Sequence, residues 1–511
     1  MGTFSGLEMA KRALYTQQSA LHTTGHNISN ANTEGYSRQR VNFESTTPYP
    51  SGSRNRPHIP GQIGTGVEAG AVERIRDKFL DSQFRTENSK SGYWETMSDS
   101  IGRMENILNE PSENGLADTM DKFWEALQDL SVNPENSGAR SVVVQRGVAV
   151  AETFNYLSNS LGTVQEDLDS RIGVTVEDTN SILRQIDGIN NQIKELEPHG
   201  YLANDLYDER DRLIDELSNI VNIKVKYEKS GDGAQDIADG LVSIQLVNDN
   251  GQPYENPIHL LEANGEPRVH ELSFTNGTGL SVEENDEGTT VVNEITIGED
   301  SIKLPVSHNN GSLHGLLDAH GYSDDSAFNF QSVLEDLDAM AKVFAEEFNK
   351  VHQDGTDLEG NTGIEFFTGN DSEGFAASIG VSEDIKNNPD LIAASESGNS
   401  GDGSNAVKLS EVFRNRDIDG LGENTSVKTF YESLIGKLGV RAQEANRMSN
   451  NTTILRSQVE DQRMSVSSVS LDEEMTNMIK FQHAYNAAAR SMTAMDEMID
   501  RIINNMGLVG R

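Results

Sequence analysis

Apolar residues recur every seven positions near the C-terminus: Leu471, Met478, Tyr485, Met492, Ile499 and Met506, with Phe481, Ala488, Met495 and Ile502 filling the intervening spacings of three and four. Such a pattern predicts an amphipathic helix with a seam of about five heptads. Its misfit is Glu474, a charged residue at an otherwise apolar position. Leu7, Leu14, Leu21 and Ile28 repeat the same period near the N-terminus, but Gln17 and Thr24 interrupt the stripe. A helix with one apolar face gains most of its stability by packing that face on something else. Both ends of the chain therefore require a partner, either within one molecule or in a neighbouring subunit. The stronger C-terminal seam is expected to serve assembly rather than monomer folding.

Between the ends, Ile182, Ile186, Ile189, Ile193 and Leu196 alternate spacings of four and three and predict a long helix over 139–197, which Pro198 and Gly200 should end. A shorter helix is expected at 204–220. Another is expected at 327–351, where Phe330, Leu334, Leu337, Ala341, Phe344, Phe348 and Val351 share a face. The pattern changes near Val221. From there to about Ser307, strand-like runs such as Leu241-Val242-Ser243-Ile244-Gln245-Leu246 are punctuated by Asn250-Gly251, Asn264-Gly265 and Asn276-Gly277, which read as hairpin turns. This segment is expected to be a self-contained β-rich unit. The stretch 354–422 is rich in Gly, Asn, Asp and Ser and predicts irregular structure around short elements.

The fold class is thus α+β and multidomain: a long helical bundle with paired terminal helices and an inserted β-rich domain. A chain of 511 residues accommodates about three domains. We assign 1–40 and 465–511 to terminal helices, 41–220 and 311–464 to a helical rod domain, and 221–310 to the insertion.

Charge narrows the partners. The 41 basic residues face 82 acidic ones, a formal net charge of −41 that repels nucleic-acid phosphates and anionic lipid headgroups. With no cysteine, disulfides and thiolate chemistry drop out. The first 21 residues carry no continuous apolar run after Lys11 and Arg12, so no cleaved secretory signal is expected, and no run is apolar enough to insert in a membrane.

Candidate chemistry is sparse. Gly61, Gly64 and Gly66 space out a loop that lacks the Lys-Ser/Thr of a phosphate-binding turn. Asn415, Asp417, Asp419 and Gly420 begin like a calcium loop, but the twelfth position is Ser426, where a bidentate Glu is needed. His22 and His26 could share a helix face without a third ligand. Gly-x-Ser-x-Gly is absent, and chance carboxylate pairs abound. We nominate no catalytic, cofactor or metal site.

The stretch Ala20-Leu21-His22-Thr23-Thr24-Gly25-His26-Asn27-Ile28-Ser29-Asn30-Ala31-Asn32-Thr33-Glu34-Gly35-Tyr36-Ser37-Arg38-Gln39 resembles the N-terminal signature of flagellar rod, hook and hook-associated proteins. Its Asn, Thr and Gly residues would stop the first helix by local side-chain bonds and left-handed backbone. The run Asn204-Asp205-Leu206-Tyr207-Asp208-Glu209-Arg210-Asp211-Arg212-Leu213-Ile214-Asp215-Glu216-Leu217-Ser218 resembles a motif of the hook-associated branch. Read from its residues, it is a capped helix with Leu206, Leu213 and Leu217 inward and Asp208 and Arg212 paired outward. Gln482-His483-Ala484-Tyr485-Asn486-Ala487-Ala488-Ala489-Arg490 resembles the terminal helix of the same axial family.

The resemblance implies a structural subunit of the bacterial flagellum at the junction of hook and filament. It implies export through the flagellar type III apparatus with a chaperone, and neighbours comprising hook protein, the next hook-associated protein and further copies of the chain. The terminal segments would pair in the inner layer of a tube, with an interface formed by the ten seam residues above and by Leu7, Leu14, Leu21 and Ile28. Hook or rod subunits, and an acidic surface hydrolase or binding module on a helical stalk, are the competing readings.

Overall fold

The computed structural model describes the chain except residues 1–3, 51–60, 109–114, 266–267, 274–279, 285–289, 298–299, 303–309, 322–327, 416–419, 423 and 506–511. Helix α1 (Phe4–Ser29) leads into an antiparallel hairpin, β1 (Gln39–Ser45) and β2 (Val67–Arg74). Helices α2 (Lys78–Leu108), α3 (Leu116–Val132), α4 (Ser137–Leu196) and α5 (Asn204–Ile220) follow. Strands β3 (Ile223–Glu228), β4 (Leu241–Val247) and β5 (Pro253–Leu261) form one antiparallel sheet. A second sheet holds β6 (Leu272–Ser273), β7 (Leu280–Glu284), β8 (Thr290–Ile297) and β9 (Asp300–Ile302). The chain returns through α6 (Ser312–His320) and α7 (Phe330–Asp354). It then forms β10 (Phe367–Thr368), α8 (Phe375–Ser378), β11 (Gly380–Val381), α9 (Glu383–Asn387) and α10 (Ser404–Glu411), and ends in α11 (Val427–Ser467) and α12 (Leu471–Asn505).

The 60-residue α4 is the spine, about 90 Å long at the usual rise. Asn136 caps its start by accepting from the Gly138 and Ala139 amides. Pro198 lies in the short turn that ends it, and Gly200 takes φ +82°, as expected from the sequence. Its apolar stripe, including Val143, Phe154, Leu161, Leu168, Ile186 and Ile193, is buried along nearly its whole length. Around the first half, Phe123 of α3, Phe344 and Phe348 of α7 and Phe366 and Phe367 form an aromatic cluster with centroids 4.8–6.4 Å apart. The described part of the 354–415 stretch runs in short elements and supplies Phe366 and Phe367 to this cluster. His352 ties it down: Nδ1 donates to Ile364 O at 2.6 Å and Nε2 accepts from the Ala393 amide at 3.0 Å.

The strand-rich segment begins where the sequence changes, and Gly251 adopts φ +70° in the β4–β5 turn. Its first sheet shares the core of the helical body. β4 is buried on both faces rather than alternating, and Leu241, Val242, Ile244, Leu260 and Leu261 join the same core as α4 and α5. Polar bonds reinforce the attachment: Asn190 of α4 both donates to Val242 O and accepts from its amide, at 2.9 and 3.1 Å. The Asn276-Gly277 turn lies outside the described residues.

Two further findings depart from the sequence reading. The β1–β2 hairpin occupies residues assigned to the helical rod. In α1, the buried positions are Ala10, Thr16, Ala20, Thr23, Thr24 and Asn27, while Leu7, Leu14, Leu21 and Ile28 are only half-buried. The reason is that α1 is sandwiched between α12 and the β1–β2 hairpin. The Thr16 hydroxyl lies 3.4 Å from Val67 O, and the side-chain-free Gly66 receives Met9, so small and polar residues line the close approach.

Candidate functional site: a charged joint at the base of a terminal hairpin

Helices α1 and α12 run antiparallel as a hairpin: Gly6 sits beside Met495 at one end, and Asn27 beside Glu474 at the other. Met478, Phe481, Ala488, Met492, Met495 and Ile499 are half-buried. Leu471, Tyr485 and Ile502 are 47%, 36% and 38% exposed, which leaves the seam only partly covered within one molecule. Met506 lies outside the described residues.

Where α1 stops, the chain turns through 30–36, with Gly35 at φ +78° pressed against Arg212 so that a Cβ would lie 3.3 Å from the Arg212 Cβ. This turn delivers Tyr36, Ser37, Arg38 and Gln39 to the base of the hairpin. Asn27 uses its whole hydrogen-bonding capacity there. Nδ2 donates to Gln39 O at 2.8 Å and to Glu474 Oε2 at 3.1 Å, while Oδ1 accepts from the Tyr36 hydroxyl at 2.8 Å and from the Gln39 amide at 3.0 Å. His26 Nδ1 contacts the Tyr36 oxygen at 2.9 Å, so it serves this turn, while His22 is exposed. Burial, together with Asp208, pushes the Tyr36 hydroxyl pKa well up. Arg38 donates from Nε to Glu474 at 2.8 Å, from Nη1 to Glu473 at 3.0 Å and from its amide to Ser467 O at 2.9 Å.

The same turn locks onto α5. The Ser37 amide donates to Asp208 Oδ2 at 3.0 Å, and Gln39 Nε2 donates to Asp205 at 3.0 Å. Asp208 is therefore buried and paired with Arg74 at 2.7 Å, not turned outward to Arg212; Arg212 instead pairs with Glu209 and Glu216 on the surface. The expected side-chain cap is also absent: Ala203 occupies the cap position, and Asn204 Nδ2 donates to Val72 O at 2.7 Å. Leu213 and Leu217 point inward as expected, with Leu206 partly buried.

Asp211, one turn further on, is surrounded by Arg74 at 3.0 Å, Arg76 at 3.5 Å and Arg85 at 3.3 Å. Burial alone would raise its carboxyl pKa, but the arginines outweigh it and hold the group well below the usual carboxylate range. Asp215 accepts from Arg85 at 2.7 Å and from Arg463 of α11, and Arg76 donates to Asp81 of α2 at 2.7 Å. Arg210 is fully buried between the Tyr207 and Tyr227 rings, 5.4 and 5.7 Å from their centroids, and donates to Gly240 O at 2.6 Å. Alongside, α2 crosses α5 so closely that a Cβ at Gly92 would lie 2.3 Å from Asn219 O. A polar cavity of about 120 Å³ opens beside Arg74, Arg76, Tyr207 and Asp239, and salt bridges pair both arginines with carboxylates. The joint thus cements β2, α2, α5 and α11 to one another and to the foot of the hairpin.

The weak motifs resolve as structure. Gly61 and Gly66 take φ +86° and +118° around a turn into β2. Ser426 caps α11 in a reciprocal pair with Thr429, while Asp417 and Asp419 lie outside the described residues. Among the described residues, no cluster of three potential ligands could hold a metal ion, and no helix is long and apolar enough to cross a membrane.

Comparison with known proteins fits this arrangement. Residues 101–367 match the family model for the flagellar hook-associated protein FlgK helical domain. Residues 7–36 match the flagella basal body rod protein family, and 460–506 the flagellar basal body rod FlgEFG protein C-terminal family. The chain is 44% identical over 518 residues to flagellar hook-associated protein 1 of Bacillus subtilis (strain 168), covering 100% of this chain and 99% of the relative. It is 24% identical over 580 residues to the Escherichia coli (strain K12) protein of that name, covering 97% and 98%. The solved flagellar hook junction protein FlgK from Burkholderia pseudomallei shares the fold, with a TM-score of 0.60 at 14% identity over 76% of this chain and 100% of that one. These relatives define a structural protein of the bacterial flagellum. Within that class, the chain belongs to the flagellar hook-associated protein 1 (FlgK) family.

Proposed function

We propose that this chain is a structural subunit joining hook to filament, acting by assembly rather than catalysis. The observation that carries the proposal is the uncovered apolar surface of α12: Met475, Ile479 and Ile503 are 57%, 54% and 67% exposed, besides the open parts of the seam. Two helices leave such surface open to solvent, and large apolar side chains exposed along a helix mark an interaction site. Copies of the chain, arranged as a tube, bury it. The interface comprises Leu7, Leu14, Leu21 and Ile28 with Leu471, Met478, Phe481, Tyr485, Ala488, Met492, Met495, Ile499, Ile502 and Met506. Segments 1–40 and 465–511 form the inner layer, 41–220 and 311–464 the next, and 221–310 faces outward. The subunit leaves the cell through the flagellar type III apparatus, aided by an export chaperone. It contacts hook protein below and the next hook-associated protein above.

A mass-spectrometric inventory of purified hook–basal bodies and filaments tests this. The chain should be found where hook meets filament, and its deletion should release filament subunits into the medium; absence from these preparations overturns the proposal.

A further inference from the structure

A hairpin in which α12 carries a seven-residue apolar repeat has an ambiguous register, because a slide of one heptad presents the same stripe to α1 again. Polar groups could remove the ambiguity, yet most of those buried in α1 cannot. Thr16 and Thr23 return their hydroxyls to the carbonyls of Arg12 and Ser19 in their own helix. Asn27 reaches across to Glu474. Among the described residues of α12, Glu474 alone is fully buried, and its second oxygen is held by Arg38, whose own amide is bonded to Ser467 O. The residue that breaks the seam's apolar pattern is therefore the one tied to both α1 and the joint.

We propose that Glu474 is the register pin of the terminal hairpin, a positioning residue that makes one alignment of α1 and α12 preferred over its heptad-shifted neighbour. Two Asn27–Gln39 bonds fasten α1 to the β1–β2 hairpin, so α12 is the helix that slides. An outward slide of seven residues is about 10 Å, which unwinding 471–477 supplies. It brings Ala488 opposite Gly6 in place of Met495. It also strips Glu474 from one N–H of the Asn27 amide and from the Arg38 Nε–H, both at the buried foot of the hairpin, and that penalty favours the native alignment. The inference concerns the isolated chain and stands or falls apart from the junction role.

Since the chain has no cysteine, engineered thiols report register directly. Purified full-length Gly6→Cys/Met495→Cys and Gly6→Cys/Ala488→Cys proteins are oxidised, each with Glu474, Glu474→Leu or Glu474→Gln. With Glu474 the first pair should cross-link and the second hardly at all. Glu474→Leu should move the ratio of native to slipped cross-link by about tenfold or more toward slipped, whereas Glu474→Gln, which can still bond Asn27, should keep the native ratio. Retention of the native ratio in Glu474→Leu overturns the assignment, because the apolar stripe would then set register unaided. Equal loss of both cross-links also overturns it, since a residue that merely stabilised the hairpin would behave in that way.

Discussion

The joint and the hairpin hold their residues by opposite means. Around Asp211 the groups are buried, paired and cross-bonded among four elements far apart in sequence, so each partner depends on several others. Along α12, contacts are apolar and half-covered, and one buried carboxylate fastens the helix at its foot. A buried ion network is costly to form and costly to break, which suits a part that must keep one geometry. An incompletely covered seam is cheap to open and needs further burial, which suits a part completed by neighbours. The same chain thereby separates the rigidity of its body from the adhesiveness of its ends.

The contrast is broken most severely by removing part of the body. Deleting 241–261 takes away strands whose Leu241, Val242, Leu260 and Leu261 are buried in the common core, so cooperative unfolding of the body should vanish in a calorimetric scan. A self-contained insertion would instead leave the transition in place. Next in size is Asp211→Ala, which leaves Arg74, Arg76 and Arg85 without their shared carboxylate; urea titration should show a loss of about 3–5 kcal/mol.

How far the sequence disclosed this contrast depended on the range of the contacts. The helices around Ile182–Ile193, Leu213 and Phe344 announce themselves by spacing, because their apolar stripe is a local property. The joint has no such signature. Asp208, Asp211 and Asp215 repeat at three and four on α5, yet their partners Arg74 and Arg463 lie 134 and 248 residues away. A charged i,i+4 pair on the surface was therefore the natural reading of Asp208 and Arg212. β1 and β2 were invisible for a related reason: their pairing closes a long loop between short strands. The period makes the seam legible as a helix, whereas nothing local in the sequence marks Glu474, the polar break in that period, as the residue bonded to both Asn27 and Arg38.

Acid should sharpen the comparison through His352, which is buried and fastens the body by bonds from both ring nitrogens. Burial, outweighing its bond to Ile364, pushes the imidazole pKa down to about 4, against 6.5 for a free side chain. The unfolded chain therefore takes up this proton first as pH falls. Stability from this group is intact above about pH 6.5 and drains away down to about pH 4, with a total of roughly 3 kcal/mol. Burial likewise lowers the His320 pKa and adds in the same direction. Urea midpoints measured between pH 7 and 4 should fall, and His352→Gln should flatten that slope.

The smallest expected effect on the body is that of Ala488→Pro, placed mid-seam. Proline removes a backbone donor and clashes with the preceding turn, which costs roughly 3 kcal/mol or more inside a helix. That cost falls on α12, which packs on α1, on Phe43 of β1 and on the foot of the hairpin rather than on the core around α4. The main unfolding transition should therefore stay within about 0.5 kcal/mol of the parent, while far-ultraviolet circular dichroism loses part of the helical signal of α12. In cells the same variant should be exported normally yet release filament subunits into the medium. A large fall in the main transition would place α12 in the body's cooperative unit and erase the division between joint and hairpin.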